Sequence, residues 1–210
     1  MGMAFRMYER YVKRCLDVMF AAVALMVFSP VFLIAAIAIK LDSPGKVFFV
    51  QQRVGKGKRL FRIYKFRTMR SDAPKNLATH LFSESASYVT SVGSFLRRSS
   101  MDELPQLVNI LKGDMALVGP RPALWNQDDL IAAREEQIRT DGKTANDVRP
   151  GLTGWAQING RDELDIAEKA RYDGEYINKM SFWFDLRCLL GTFLPVIRAK
   201  GFADGGHSGK

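Results

Sequence analysis

The chain has 210 residues, a net charge of +9 and a pI near 9.7, with 47% hydrophobic residues. That length holds one domain with a real core, and the basic balance points to an anionic partner: nucleic acid, acidic lipid or a phosphorylated substrate. Two histidines, one of them in the terminal GGHSGK, leave almost no room for a histidine-based zinc site and only His80 for a Ser–His or Cys–His pair, so enzymatic chemistry falls to carboxylates and cations.

The first feature in chain order is VMFAAVALMVFSPVFLIAAIAI, residues 18–39, 22 residues without a charge. A straight helix of that length just spans a hydrocarbon core of ~30 Å. It is long for a signal-peptide core, and no small-residue cleavage pattern follows it. Ser29-Pro30 lies at its middle, where proline removes a backbone hydrogen bond and bends the helix. Arg6, Arg10, Lys13 and Arg14 precede the segment, and Lys40, Lys46, Arg53 and Lys56 follow it. Cations at both ends favour a helix that dips into the membrane and returns to the same face over one that spans. A buried helix of a soluble protein is the competing reading. Cys15 and Cys188 sit in separate apolar stretches without metal-ligand spacing and read as reduced packing residues.

After LDSPGK, the run VFFVQQRVGKGKRLFRIYKFRTMR predicts a β-hairpin turning at Gly55-Lys56-Gly57. Nine Lys/Arg and no acid lie between Asp42 and Asp72. Lys65 and Arg67, two apart, share a strand face and suit a phosphate clamp. A solvated edge strand and attraction to anionic headgroups account for the same cations.

Residues 96–111 read as one helix with Gly113 as its stop. Within it lies RSSMDELPQL. Ser100 followed by Glu103 has capping-box spacing, which would make the acidic pair Asp102-Glu103 a helix-start device. Pro105 fits only in a first turn, so Asp102 is an alternative cap. The same stretch has a chemical reading. A helix N-terminus flanked by Arg97 and Arg98 attracts phosphate, and a carboxylate there can act as a nucleophile toward phosphorus, with a divalent cation offsetting the repulsion.

Gly119-Pro120-Arg121-Pro122 is a rigid turn carrying one cation. Residues 123–139 read as a polar surface helix, and VRPGLTGWAQINGR as irregular chain with turn glycines, Arg149 and Arg161. FWFDLRCLLGTFLPVIRAK reads as an amphipathic helix in the membrane interface that Pro195 should break or kink. The expected fold class is α+β: a monotopic membrane protein with an N-terminal re-entrant helix (1–41), a helical catalytic domain with a small basic hairpin (42–200) and a tail (201–210). No G-x-G-x-x-G follows a strand, so no Rossmann domain is expected.

These motifs, in this order, resemble the bacterial monotopic phosphoglycosyl transferases, the bacterial sugar transferase family. The resemblance rests on the apolar segment with Ser29-Pro30, LDSPGKVFFVQQRVG, KFRTM, LRRSSMDELPQLVNILKGDMALVGPRP and VRPGLTGWAQINGR. It implies transfer of a sugar 1-phosphate from a UDP-sugar to undecaprenyl phosphate with release of UMP, initiating glycoconjugate assembly. It further implies Asp102 as the covalent nucleophile, Glu103 as its partner, and Mg²⁺ held by both. Lys65, Arg67, Arg97, Arg121 and Arg161 are the expected substrate contacts. The implied location is the cytoplasmic face of the bacterial inner membrane, with Ser29 and Pro30 breaking the re-entrant helix. A minimal single-domain form, a homodimer or downstream glycosyltransferase partners, and no nucleic acid complete the expectation. A basic nucleic-acid-binding protein and a non-catalytic membrane scaffold are the alternatives from other classes.

Overall fold

The structure is a computed structural model and describes residues 7–73, 85–160 and 163–198. Arg161, His80 and the tail 201–210 lie outside the described residues. A short π-helical stretch, Tyr8–Val12, leads into α1 (Lys13–Val27), and α2 (Ser29–Asp42) follows after Phe28 alone. The two arms meet at 60°. The cause is local. Pro30 has no N–H to give the Met26 carbonyl, and the Ser29 hydroxyl donates to that oxygen instead, at 2.8 Å. The sequence placed the break at Ser29-Pro30, and it occurs there. No single helix among the described residues is long and apolar enough to cross a membrane; the bent pair together is, by length and composition.

The hairpin is present as expected: β1 (Phe48–Val54) pairs antiparallel with β2 (Leu60–Phe66), from Phe48 opposite Phe66 to Val54 opposite Leu60. One helical turn, α3 (Ser85–Tyr88), precedes α4 (Ser91–Arg98), which the Thr90 hydroxyl caps by accepting from the Gly93 N–H at 3.0 Å. The single helix expected over 96–111 does not form. Helix α4 stops at Arg98, Ser100 turns left-handed at φ 55°, a 3₁₀ turn carries Met101–Glu103, and α5 (Gln106–Lys112) starts after Pro105. Gly113 then ends α5 in the left-handed region, φ 92°, as its position in the sequence predicts.

Two three-residue strands, β3 (Ala116–Val118) and β4 (Gly151–Thr153), pair in parallel. They approach so closely that a Cβ on Gly151 would lie 2.1 Å from the Gly119 nitrogen, which explains the glycine. Between and after them come α6 (Asp128–Glu135), α7 (Trp155–Ile158), α8 (Ile166–Lys179) and α9 (Phe182–Arg198). The polar helix expected over 123–139 is therefore shorter, and VRPGLTGWAQINGR holds a strand and a helical turn. Pro195 lies inside α9 and does not end it.

Two core clusters pack against α1. Ala21 packs with Ile63, Leu107, Ile110 and Met115, while Val118, Tyr176, Ile177, Met180 and Cys188 fill the neighbouring cluster. A buried polar knot joins the two ends of the chain. Asp185 on α9 accepts from Lys13 Nζ at 2.6 Å, Tyr8 Oη at 2.7 Å and Tyr176 Oη at 2.8 Å. One turn along α1, Asp17 accepts from the Leu117 N–H of β3 at 3.1 Å. The first arm of the apolar segment is thus locked to the domain that follows it.

Candidate active site

Asp102 and Glu103 project from the 3₁₀ turn between α4 and α5. Neither caps a helix. Ser100 makes no capping hydrogen bond, so the expected capping box is absent, and the N-cap position of α5 belongs to Pro105. The physical reason is the left-handed Ser100, a conformation that costs a non-glycine residue energy and here reverses the chain between two short helices. It leaves both carboxylates outside helix-start duty.

Glu103 is held. Its Oε1 lies 2.7 Å from Lys65 Nζ and 3.6 Å from Arg121 Nη2, with only 12% of the side chain exposed. Lys65 is brought there by β2, which Asn109 of α5 clamps: the Asn109 amide donates to the Arg62 carbonyl at 2.7 Å and accepts from the Tyr64 N–H at 3.1 Å. Arg121 is placed by its own backbone, because Arg134, buried and paired with Asp173 at 2.6 Å, donates to the Arg121 carbonyl at 2.9 Å.

Asp102 is different. Its carboxylate makes no hydrogen bond and no ion pair among the described residues, although Lys65, Arg97 and Arg121 are all near enough to act on it. Burial pushes the Asp102 carboxyl above its ordinary pKa, and Glu103 adds to this; the three cations pull the other way. Arg97 reaches this side from α4, its Nε donating to the Thr68 hydroxyl at 2.9 Å.

Of the expected substrate contacts, the structure therefore gathers Lys65, Arg97 and Arg121 around the acidic pair. Arg67 is not among them. Strand β2 ends at Phe66, so the alternation that would point Arg67 the same way as Lys65 no longer applies. Buried instead, the Arg67 guanidinium donates to the carbonyls of Pro44 at 2.8 Å, Ser43 at 2.6 Å and Ile39 at 3.2 Å, tying down the end of α2. Those donors are spent on the backbone, which corrects the clamp drawn from Lys65 and Arg67. Arg149 also serves the backbone, its Nε donating to the Gly113 carbonyl at 2.9 Å.

Sequence reasoning passed over Arg53. With Lys65, Glu103, Gln106 and Arg121 it lines a small pocket beside the acidic pair. Burial, then the charge of Arg121, draws its pKa down to about 10. The signal was present, since Arg53 is the only cation of β1 and alternates with the core-facing Val54.

Among the described residues no three of His, Cys, Asp and Glu gather as a closed metal cage. Asp102 and Glu103 offer two adjacent carboxylates, the donor set that suits Mg²⁺ when substrate phosphates complete its shell.

An open carboxylate with three cations near it is an arrangement that suits a phosphorylated ligand. Comparison with known proteins gives the family. Residues 8–199 match the family model described as bacterial sugar transferase, and the chain belongs to that family. It is 41% identical over 204 residues to the UDP-glucose:undecaprenyl-phosphate glucose-1-phosphate transferase of Escherichia coli (strain K12), covering 93% of this chain and 41% of that protein. It is 39% identical over 194 residues to the UDP-N-acetylgalactosamine-undecaprenyl-phosphate N-acetylgalactosaminephosphotransferase of Aeromonas hydrophila, covering 91% of this chain and 45% of that protein. The exopolysaccharide production protein ExoY of Sinorhizobium fredii (strain NBRC 101917 / NGR234) is 35% identical over 204 residues, 90% of this chain and 87% of that protein. The chain thus spans less than half the length of the first two relatives and most of the third.

Proposed function

We propose that this chain transfers a sugar 1-phosphate from a UDP-sugar to undecaprenyl phosphate, with Asp102 as the covalent nucleophile. The observation that carries the reading is the contrast within the acidic pair: Glu103 is neutralised by Lys65 and Arg121, while Asp102 is left without a partner among the described residues. The nearby cations oppose the burial that raises its pKa, and an ionised carboxylate free of hydrogen bonds is a nucleophile. The names of the relatives, which act on UDP-sugars and undecaprenyl phosphate, supply the substrate class.

An Asp102 oxygen attacks the β-phosphorus of the donor. The bond from that phosphorus to the bridging oxygen breaks, and UMP leaves with the oxygen and the electron pair. The sugar phosphate is then joined to Asp102 as an acyl phosphate. An oxygen of undecaprenyl phosphate attacks the same phosphorus, the bond to Asp102 breaks, and the carboxylate is regenerated. Lys65, Arg97 and Arg121 orient the phosphates and offset charge as it develops on the phosphoryl oxygens. Asp102 and Glu103 would hold Mg²⁺, which would supply further neutralisation of the donor diphosphate.

The bent pair supports placement at a membrane. Met26, Val27, Leu33, Ile34 and Leu41 are all exposed, Leu41 by 84%, a surface that water disfavours and lipid accepts. In this reading the pair is re-entrant and the site faces the cytoplasm at the inner membrane.

The test uses detergent-purified protein, Mg²⁺, undecaprenyl phosphate and a panel of UDP-sugars. UMP release with at least one donor is expected, together with a phosphosugar adduct on Asp102 by mass spectrometry of acceptor-starved enzyme. No UMP with any donor, or an adduct on another side chain, sinks the proposal. Topology has its own check: in a chain without Cys15 and Cys188, single cysteines at Phe5 and Lys46 should both label from the cytoplasmic side, and labelling from opposite sides would mean a spanning helix.

A further inference from the structure

The lining of the pocket beside Glu103 holds three cations, Arg53, Lys65 and Arg121, and one carboxylate, Glu103 itself. Lys65 and Arg121 both approach that carboxylate. Arg53 has no salt bridge among the described residues. Its Nη1 donates to the Pro122 carbonyl at 3.1 Å and its Nη2 to Gln51 Oε1 at 2.9 Å, both neutral acceptors. Its Nε is enclosed and has no hydrogen-bond partner among the described residues. A guanidinium shielded from water without a direct salt bridge is costly; Arg121 nearby worsens it, and the charge of Glu103 offsets it only in part. Such a group persists where a ligand brings the missing charge.

We propose that Arg53 is a further substrate-binding residue, whose guanidinium holds a phosphate of the reacting substrates in the pocket formed with Lys65 and Arg121. This rests on the transferase reading for the identity of the substrate, but not for the chemistry of binding. Arg53 reaches the pocket from β1, held in register by its bridge to Leu124 and by the Val54 N–H to Ala123 carbonyl bond. The two bonds already made fix the plane of the fork, so a lysine, with one compact charge, replaces it only in part. The phosphate comes either from the nucleotide donor or from the lipid acceptor.

Calorimetric titration with inorganic pyrophosphate reads the site without any turnover. Binding to the wild-type protein is expected, with affinity at least about 10-fold weaker in Arg53→Gln and intermediate in Arg53→Lys. Steady-state arms then assign the source. A raised KM for the UDP-sugar, seen in the acceptor-free burst of UMP, means the donor phosphate; a raised KM for undecaprenyl phosphate alone means the lipid phosphate; either supports the proposal. Pyrophosphate affinity and both KM values unchanged in a cooperatively melting Arg53→Gln overturn it, as does a wild-type protein that binds no pyrophosphate. If Arg53→Gln fails to fold, Arg53→Lys decides by the same criteria. Should no UDP-sugar release UMP, the transferase reading falls while the titration still judges Arg53.

Discussion

Of the carboxylates withdrawn from water, Asp185 and Asp102 are treated in opposite ways. Asp185, 6% exposed, receives a lysine and two tyrosine hydroxyls. Asp102, surrounded by cations, receives no hydrogen bond among the described residues. The first arrangement is finished: every bond the group can use within its knot serves to join α1, α8 and α9. The second is left open, and an ionised oxygen with spare lone pairs is what a reaction at phosphorus needs. Charge and burial alone do not separate structure from chemistry; the state of the partners does.

The comparison breaks most visibly at Asp102. Asp102→Asn should lower UMP release by at least about 10³-fold while the protein still melts cooperatively, the signature of a lost nucleophile. Asp185→Ala should do the reverse, costing roughly 3 kcal/mol of stability because the buried Lys13 keeps only the more distant Asp17, 3.7 Å away, as counter-charge. Chemical denaturation measures that loss, and restoring part of it with Lys13→Met in the same chain would tie the cost to the weakened pairing of Lys13. The smallest effect is the most discriminating. Because burial raises the Asp102 carboxyl, its ionised form weighs against folding, and the native state regains stability when it is protonated. Asp102→Asn should therefore melt above the wild type at pH 7. The advantage should shrink as pH falls through the folded pKa and vanish below about 4, the range of an unfolded carboxyl. A wild type that melts higher at pH 7 would mean that the cations, not burial, dominate.

The large elements were legible because their causes are local. Ser29-Pro30 fixes the bend through one missing donor, Gly55 and Gly57 bracket the hairpin turn, and Gly113 stops α5. The acidic pair and the cations Lys65 and Arg97 could be picked out by charge and spacing, and Arg121 through the resemblance to the family. What escaped depends on distant chain. Ala116–Val118 and Gly151–Thr153 are too short for alternation to show, and become strands by finding each other across more than thirty residues. The left-handed Ser100, which splits the expected helix, has no residue-type signal, since glycine would be the usual occupant. Arg67 misled because period-two reasoning was carried one residue beyond the end of β2.

That same Arg67 has a mechanical consequence. The tripeptide Lys65-Phe66-Arg67 sends its first side chain to Glu103 and its last to the backbone that leaves the apolar arm at Ile39, Ser43 and Pro44. Phe66, between them, is sealed against Phe32 of that arm, with ring centres 5.2 Å apart. The span from the apolar helix to the lysine beside Glu103 is thus a strut three residues long, with no slack linker in it. Tilting the arm must drag the lysine, so under the proposed transferase function the seating of the helix and the place where the phosphate is met become a single mechanical variable.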